Sequence, residues 1–349
     1  MCRGKPVGAR KVTEILRPGI ADGMGLAFFR GMNRRDFIVN SSLLVSAGLV
    51  ARAQSSAPAG SATPSAAKAP ATAPAPTVTE FRPLRRGVGL FSARGGTIGW
   101  LVNKDALAAV DTQFADTAAL FLAGLPGRDG RMFDAVINTH HHGDHTGGNA
   151  VLKPSAKTIV AHANVPKLQF AAAEKANSLS KQVYADTTFP DVWRRELGDD
   201  IVTAQYYGAA HTSGDVIVFF EKANVVHLGD LMFNRMYPFI DRGAGASFRN
   251  WIKVLEEAAK TYPADAIYVF GHGNPKFGVT GKRGDLLVLR DYISGLLAHV
   301  EKQIAAGAPK EKIVALANLD GFPDFHLPLP NRLGMNLGAA FDELTEKKS

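Results

Sequence analysis

The chain has 349 residues, a formal net charge of +8, a hydrophobic fraction of 46% and a charged fraction of 21%. These values exclude a disordered chain and are typical of a globular protein with one large domain or two modest ones. They also give no reason to expect a nucleic-acid partner. Residues 1–53 hold nine of the 40 basic and three of the 32 acidic residues, which leaves 31 basic and 29 acidic residues, a net charge of +2.

The N-terminal segment has the pattern of an export signal. Arg34 and Arg35 precede a short apolar run, Phe37 to Ala51, and the run is followed by the small-residue site Ala51-Arg52-Ala53. A run of about 15 residues is too short to span a bilayer, so no stable membrane span is expected after processing. The segment resembles a twin-arginine signal cleaved after Ala53. This resemblance implies the twin-arginine export machinery as a partner and a periplasmic or secreted location.

Three boundaries follow from this interpretation. Residues 1–31 lie before Met32 and are interpreted as a mis-extended start, a hypothesis that N-terminal sequencing of the precursor would test. Residues 32–53 form the predicted signal, and residues 54–78, rich in Ala, Pro and Ser, are predicted to be a disordered linker. The globular domain is expected over residues 79–349. The single cysteine, Cys2, lies in the suspect start, so cysteine chemistry does not enter the prediction.

Strand-like and helix-like stretches alternate through the globular part. Gly95-Gly96 and Asn103–Asp105 separate the first β-rich runs in a hairpin pattern. The predicted helices are FADTAALFLAGL, VPKLQFAAAEKANSLSKQ and SFRNWIKVLEEAAKTY, the last capped by Ser247. The predicted strands are RMFDAVINTH, KTIVAHANV, IVTAQYYG, DVIVFFE, ANVVHLGD and AIYVFGHG. This alternation favours a mixed α/β fold with layered sheets.

A long amphipathic helix is predicted from about residue 285, between Asp285 and Gly307. Its apolar residues recur every three or four positions, at Leu286, Leu289, Ile293, Leu296, Val300 and Ile304. We expect this helix to cover the core and to be followed by a short helix near PKEKIVALANL. The domain therefore ends in a C-terminal helical segment.

The stretch NTHHHGDHTGGN, from Asn138 to Asn149, concentrates potential metal ligands on one turn. Alternate residues of an extended turn face the same side, so His140 and His142 can converge on one ion. Gly143 permits a bend that directs Asp144 and His145 to a second point. Imidazole and carboxylate are ligands that zinc accepts, and the pattern predicts a metal site.

Other metal-competent residues lie at the ends of predicted apolar strands. His211 lies in GAAHTSGD, Asp230 ends NVVHLGD, and His272 follows AIYVFG. Each of these residues alone is a weak signal, because a single strand-end histidine is usually structural. Together with the histidine-rich turn, they predict one shared site.

In this order, the motifs THHHGDHTGG, HTSGD, GD and GHG resemble the metallo-β-lactamase-fold hydrolase superfamily over roughly residues 83–300. The resemblance implies an α/β fold, a four-layer αβ/βα sandwich with its site at one edge of two packed sheets. It implies two zinc ions per chain, one held by His140, His142 and His211, the other by Asp144, His145 and His272, with Asp230 bridging both. His141 is the variable position of the motif and is not assigned as a ligand.

The resemblance also implies a reaction. Two metal ions that share a water give a bridging hydroxide at neutral pH. We expect it to hydrolyse an amide, ester, lactone or thioester bond of a small molecule in the periplasm. Asp144 and Asp230 are the expected catalytic residues, and Asp144 is expected to orient the nucleophile and shuttle its proton.

Further residues are expected around the ligands. Asp111 and His162 are candidates to hydrogen-bond ligand side chains, since ligating histidines usually donate their second N–H to an acceptor. The loop MFNRMYPFIDRGAGAS is expected to wall a substrate pocket. Its candidate lining residues are Phe233, Arg235, Tyr237 and Phe239. Arg235 and Arg242 are candidates to meet a substrate carboxylate, although arginines in such a loop more often only face solvent.

Three alternatives stay open. The first is hydrolysis of β-lactam antibiotics, which is disfavoured because this chain has Asp230 where classical β-lactamases of the fold have Cys or Ser. The second is an oxidoreductase of the same fold that uses iron; iron or manganese could also replace zinc. The third is a non-catalytic metal-binding protein of the cell envelope. Glyoxalase II shares the histidine motif, but its glutathione thioester is not expected outside the cytoplasm.

Overall fold

The structure, a computed structural model, describes residues 79–325 and 329–346. The predicted start, signal and linker, together with Cys2, therefore lie outside the described residues. The described part begins one residue before the first strand, β1. It consists of two β-sheets packed face to face between helical layers.

The first sheet joins antiparallel to parallel strands. Its order along the sheet is β1 (Glu80–Arg85), β2 (Val88–Ser92), β3 (Ile98–Val102), β4 (Leu107–Val110), β5 (Ala135–Asn138), β6 (Ile159–His162) and β7 (Thr187–Phe189). The strands from β1 to β4 pair antiparallel, as the hairpin pattern predicts, and those from β4 to β7 pair parallel.

The second sheet comes later in the chain and is mostly antiparallel. Its order along the sheet is β15 (Thr280–Gly281), β13 (Ile267–Val269), β11 (Val225–His227), β10 (Val216–Phe220), β9 (Asp200–Tyr206) and β8 (Val192–Leu197). The neighbours β11 and β13 are parallel. A separate parallel pair joins β12 (Phe233–Asn234) to β14 (His272–Gly273) beside the predicted site.

The helices pack mainly on the outer faces of the two sheets, although the single turn Gly143–Thr146 lies at the sheet edge with the predicted ligands. They are α1 (Ala115–Gly124), α2 (Gly143–Thr146), α3 (Asn149–Leu152), α4 (Val165–Lys175), α5 (Phe248–Thr261), α6 (Arg283–Ala305), α7 (Lys310–Val314) and α8 (Arg332–Thr345). Within the described residues, none of these helices combines the length and apolar character needed to cross a membrane.

Alternation along each strand builds the four layers, because successive side chains face opposite sides of a sheet. In β10, Val216 and Val218 pack into the core between the sheets, whereas Ile217 faces α5 and α6 on the other side. On the first sheet, Trp100 faces outward with Phe121 of α1. The predicted α/β sandwich with four layers is therefore confirmed, and so is its C-terminal helical segment.

The predicted long helix corresponds to α6, and its apolar positions are buried except Ile304, which is half-buried. Ser247 caps α5 by accepting a hydrogen bond from the Asn250 N–H.

The sequence did not indicate β8 or α8. The exposed arginines of β8 hide the alternation expected of a strand, and Gly334 and Gly338 lower the helix propensity of α8.

Candidate metal centre

Parallel strand pairs bring the predicted residues to one edge of the sandwich. In β4 and β5, Val110 is in register with Ile137, so the residues that follow both strands, including Asp111 and His140, emerge together. In β11 and β13, His227 is in register with Val269, so Asp230 and His272 follow at the same level. Strand ends separated by about 130 residues of chain therefore meet at one place.

Four side chains form the first cluster. The Nδ1 atom of His142 lies 3.0 Å from both His140 Nε2 and His211 Nε2. The Oδ2 atom of Asp230 lies 3.9 Å from His140 Nε2 and 3.5 Å from His211 Nε2. One nitrogen of each ring and one carboxylate oxygen thus face a common point.

The second cluster adjoins the first through the other oxygen of Asp230. Its Oδ1 atom lies 3.0 Å from His145 Nε2 and 3.4 Å from His272 Nε2. The Oδ2 atom of Asp144 lies 3.2 Å from His272 Nε2 and 3.8 Å from His145 Nε2. Asp230 therefore presents one oxygen to each cluster.

Hydrogen bonds on the far side of each ring fix which nitrogens carry lone pairs in the first cluster. His211 Nδ1 lies 2.9 Å from the carbonyl of Phe239, which can only accept, so this nitrogen carries the hydrogen. His142 Nε2 donates in the same way to Asp241 Oδ2 at 2.9 Å. With both rings neutral, the inward nitrogens are bare, and at 3.0 Å their lone pairs repel each other unless a metal ion or a proton lies between them.

The clusters fit zinc on three independent grounds. Ligand atoms about 2.0–2.1 Å from a tetrahedral zinc lie about 3.3 Å apart, close to the separations above. His145 Nε2 and Asp230 Oδ1 are buried and lie 3.0 Å apart, yet neither forms a hydrogen bond of normal geometry with the other or with any other described residue. A side chain at Gly96 would collide with the His145 ring, and one at Gly271 with Asp230 Oδ1, so both positions are kept free of side chains beside the ligands.

Two carboxylates outside the clusters hold ligand rings in place. Asp111 Oδ2 accepts a hydrogen bond from His145 Nδ1 at 2.7 Å, while its Oδ1 accepts from the Thr139 N–H at 2.7 Å. Asp111 has a φ of 65°, an unusual conformation that recurs at functional sites. Asp241 holds His142 and also lies 3.7 Å from His141 Nε2. Sequence reasoning missed Asp241 because it lies in a loop without a strand-end signal.

Two predicted site residues do not reach the clusters. His162 stacks on Tyr206 and its ring nitrogens bond Pro190 O and the Asn164 N–H, so the expectation that it supports a ligand is wrong. Arg235 points away from the site and forms an ion pair with Asp285 at 2.8 Å, so its expected role in the pocket is also wrong.

A cavity of about 460 Å³ opens onto both clusters. Three predicted aromatic residues, Phe233, Tyr237 and Phe239, line it, while Asp144, Asp230 and His272 lie at its base. Arg332, at the start of α8, also lines the cavity and was not found from the sequence. Nothing in the pattern of α8 indicated that this helix returns to the site.

Burial and charge act differently on the two clusters. Burial is the main cause that lowers the pKa of His211 to about 3 and that lowers the pKa of His140 well below its usual range, so both rings are neutral ligands at neutral pH. Burial would also lower the pKa of His272, but Asp230 and Asp144 outweigh it and raise this pKa to about 9. Asp230 and Asp111 likewise raise the pKa of His145 well above its usual range.

This difference predicts that zinc binding displaces protons. Below about pH 9, His272 of the metal-free protein carries a proton that the metal must replace, and His145 carries another, so affinity should fall as the pH falls. At pH 7.5 we expect roughly three protons to be released as both sites fill, one each from His272 and His145 and one from the water that the two ions would share. Calorimetric titrations in two buffers of different ionisation enthalpy measure this number. His272→Gln should release about one proton fewer, and a buffer-independent heat would contradict the prediction.

Comparisons with known proteins agree with this geometry. A family model described as the metallo-beta-lactamase superfamily matches residues 93–272, just over half of the chain. A hydroxyacylglutathione hydrolase from Methylococcus capsulatus is 28% identical over 213 residues, which cover 58% of this chain and 72% of that protein. A hydroxyacylglutathione hydrolase from Rhodopseudomonas palustris is 38% identical over 66 residues, 19% of this chain and 26% of that protein.

Solved structures show the same fold at low sequence identity. A metallo-beta-lactamase from Pontibacter korlensis aligns with a TM-score of 0.51 at 16% identity, covering 62% of this chain and 99% of its own. A stereoselective inverting sec-alkylsulfatase from Pseudomonas sp. aligns with a TM-score of 0.57 at 17% identity, covering 73% of this chain and 49% of its own. At these identities the similarity concerns the fold alone.

Proposed function

Because the chain belongs to the metallo-beta-lactamase superfamily, we propose that it is a hydrolase that uses two zinc ions to cleave an acyl bond of a small molecule. The observation that carries the proposal is the pair of clusters joined by the two oxygens of Asp230. One zinc ion would be held by His140, His142, His211 and Asp230, and the other by Asp144, His145, His272 and Asp230. When bound, the two ions would activate a water and stabilise the negative charge that develops on the acyl oxygen.

Asp144 is the proposed proton carrier. Its side chain is partly exposed to the cavity, whereas Asp230 is buried. A carboxylate at this boundary is positioned to orient an attacking water, take its proton and pass it to the leaving group. Asp230 instead fixes the spacing of the two clusters.

The cavity wall restricts both water and substrate. Phe114, Phe233, Met236 and Phe239 give it an apolar lining over the polar base. An apolar wall excludes competing water and accommodates an acyl or alkyl chain. This arrangement supports a small organic substrate.

Thioesters are the first bonds to test, because both similar curated proteins are hydroxyacylglutathione hydrolases. β-Lactams are the second candidate, since a metallo-beta-lactamase shares the fold. Amide, ester and lactone bonds complete the set. The ligand set does not distinguish these bonds, since each passes through a tetrahedral centre with a developing oxyanion.

We also propose that the protein acts in the periplasm or outside the cell. The support is the Arg34-Arg35 pair followed by an apolar run and a cleavage site after Ala53. N-terminal sequencing of the exported protein, which should begin at Gln54, tests this proposal.

Removal of metal provides the test of function. Dialysis against a strong chelator should abolish hydrolysis of a chromogenic thioester, and roughly two equivalents of zinc should restore it. Metal content by mass spectrometry and circular dichroism run on the same samples separate loss of metal from loss of fold. Restoration by iron alone, accompanied by oxygen uptake, would favour the oxidoreductase alternative. Full activity without metal would contradict the proposal.

A further inference from the structure

Arg332 is a buried cation in the wall of the cavity. It is the first residue of α8, and only 9% of its surface is exposed. The preceding residue, Asn331, has a φ of 62°, a conformation that asparagine tolerates better than most residues. Asn336, one turn further along α8, donates a hydrogen bond to the hydroxyl of Tyr292 at 3.0 Å. The start of the helix is thus fixed against the domain.

Arg332 lacks the partner that neighbouring arginines have. Arg235 pairs with Asp285 at 2.8 Å, and Arg242 pairs with Glu343 at 3.0 Å. Arg332 forms no ion pair with any residue in 79–325 or 329–346, and its buried Nε has no hydrogen-bond partner there. Burying an unpaired charge is costly, so such a group is usually completed by a ligand.

The surroundings of Arg332 connect it to the metal centre. Its guanidinium lies 5.1 Å from the centroid of the Phe239 ring, and that ring lies 5.3 Å from the ring of His142. A single aromatic side chain therefore separates the cation from a ligand ring. The positive end of the α8 backbone dipole lies at the same place and adds to the preference for an anion.

We propose that Arg332 binds a carboxylate of the substrate, at the end of the molecule remote from the bond that is cleaved. The guanidinium is planar and matches a carboxylate through two parallel hydrogen bonds. The substrate is then an acyl compound with an apolar middle, which contacts Phe239, and an acidic end. This inference rests on the proposed hydrolase function and narrows its substrate class.

A pair of matched esters tests the inference. The mono-para-nitrophenyl ester of adipic acid and para-nitrophenyl hexanoate have equal chain lengths and differ only in a terminal carboxylate. The zinc-loaded enzyme should prefer the acidic ester by about 10- to 100-fold in kcat/KM. Arg332→Gln should abolish this preference, measured as the ratio of kcat/KM for the two esters, whereas Arg332→Lys should retain part of it. Arg235→Gln removes the same charge outside the cavity and should leave the preference unchanged.

Equilibrium binding of the corresponding para-nitrobenzyl ketones, in which a CH₂ group replaces the ester oxygen and no cleavable acyl bond remains, gives a readout that does not require turnover. The acidic ketone should bind the wild type more tightly than the neutral one, and Arg332→Gln should remove the difference. If neither ester is cleaved but the binding difference depends on Arg332, the proposed hydrolysis fails and the anion site stands. If both esters are cleaved and Arg332→Gln leaves the preference unchanged, the anion site is overturned and the hydrolase stands. The binding preference for the acidic compound could also disappear when the metal is removed and persist in Arg332→Gln. The carboxylate would then bind the metal, and the anion site at Arg332 would be overturned.

Discussion

Asp230→Asn is expected to lower kcat by at least about a thousandfold and to leave at most one zinc ion bound per chain. Each oxygen of Asp230 faces a different cluster, at 3.5 Å from His211 Nε2 and 3.0 Å from His145 Nε2. An amide keeps the shape but replaces one oxygen with an NH₂ group and removes the negative charge. The amide nitrogen has no free lone pair to offer a cation, so one cluster loses its oxygen ligand.

Zinc content by mass spectrometry and kcat on a chromogenic thioester check this prediction together. Asp200→Asn is the matched control, because Asp200 is equally buried but accepts hydrogen bonds only from backbone N–H groups of Ile201, Lys222 and Ala223. The control should lose stability and keep two zinc ions. If Asp230→Asn retained both ions and full turnover, the bridging assignment would be wrong.

Asp144→Asn is expected to lower kcat by about a hundredfold to ten-thousandfold, the range typical of a lost general acid–base group. The amide cannot take a proton from the attacking water, while the ring of His272, which lies 3.2 Å from the Asp144 carboxylate, stays in place. The pH dependence of kcat separates two roles of this residue. A variant that lost only a ligand would recover its rate at high zinc concentration.

We therefore measure kcat for Asp144→Asn over increasing zinc concentrations and several pH values. A rate that stays low at saturating zinc, with a changed pH profile, supports proton transfer by Asp144. Complete recovery at saturating zinc would show that Asp144 is a ligand alone. Arg249→Gln, an exposed surface change remote from the cavity, controls for handling of the variants.

Much of the fold and of the candidate ligand set followed from local patterns. Short apolar runs marked most strands, the spacing of apolar residues marked α6, and Ser247 marked the start of α5. The histidine-rich turn indicated a metal site directly, because four histidines and an aspartate within six residues are unusual in a turn with any other role. Those signals are local, because each lies within a single helix, strand or turn.

Residues that depend on distant contacts could not be found in this way. Asp241 holds His142 from 99 positions further along the chain, and Arg332 reaches the cavity from the last helix. Gly96 was interpreted as part of a hairpin turn, but in the structure it also leaves room for the His145 ring. In each case the contact depends on how distant helices, strands and loops pack together. The local pattern of hydrophobic residues does not specify that packing.

The division of the ligands between the sheets has a consequence for assembly. The chain up to β7 contributes His140, His142, Asp144 and His145, and the chain from β8 onward contributes His211, Asp230 and His272. Neither half contains a complete set of ligands for either cluster, so a metal ion would bind tightly only when the two halves are docked. By mass action, a bound metal ion would then favour the docked state over separated halves. A chain nicked at the exposed Pro190-Asp191 junction between β7 and β8 would form a fragment pair that the apolar core shared by both sheets holds together and that a bound metal ion would stabilise further.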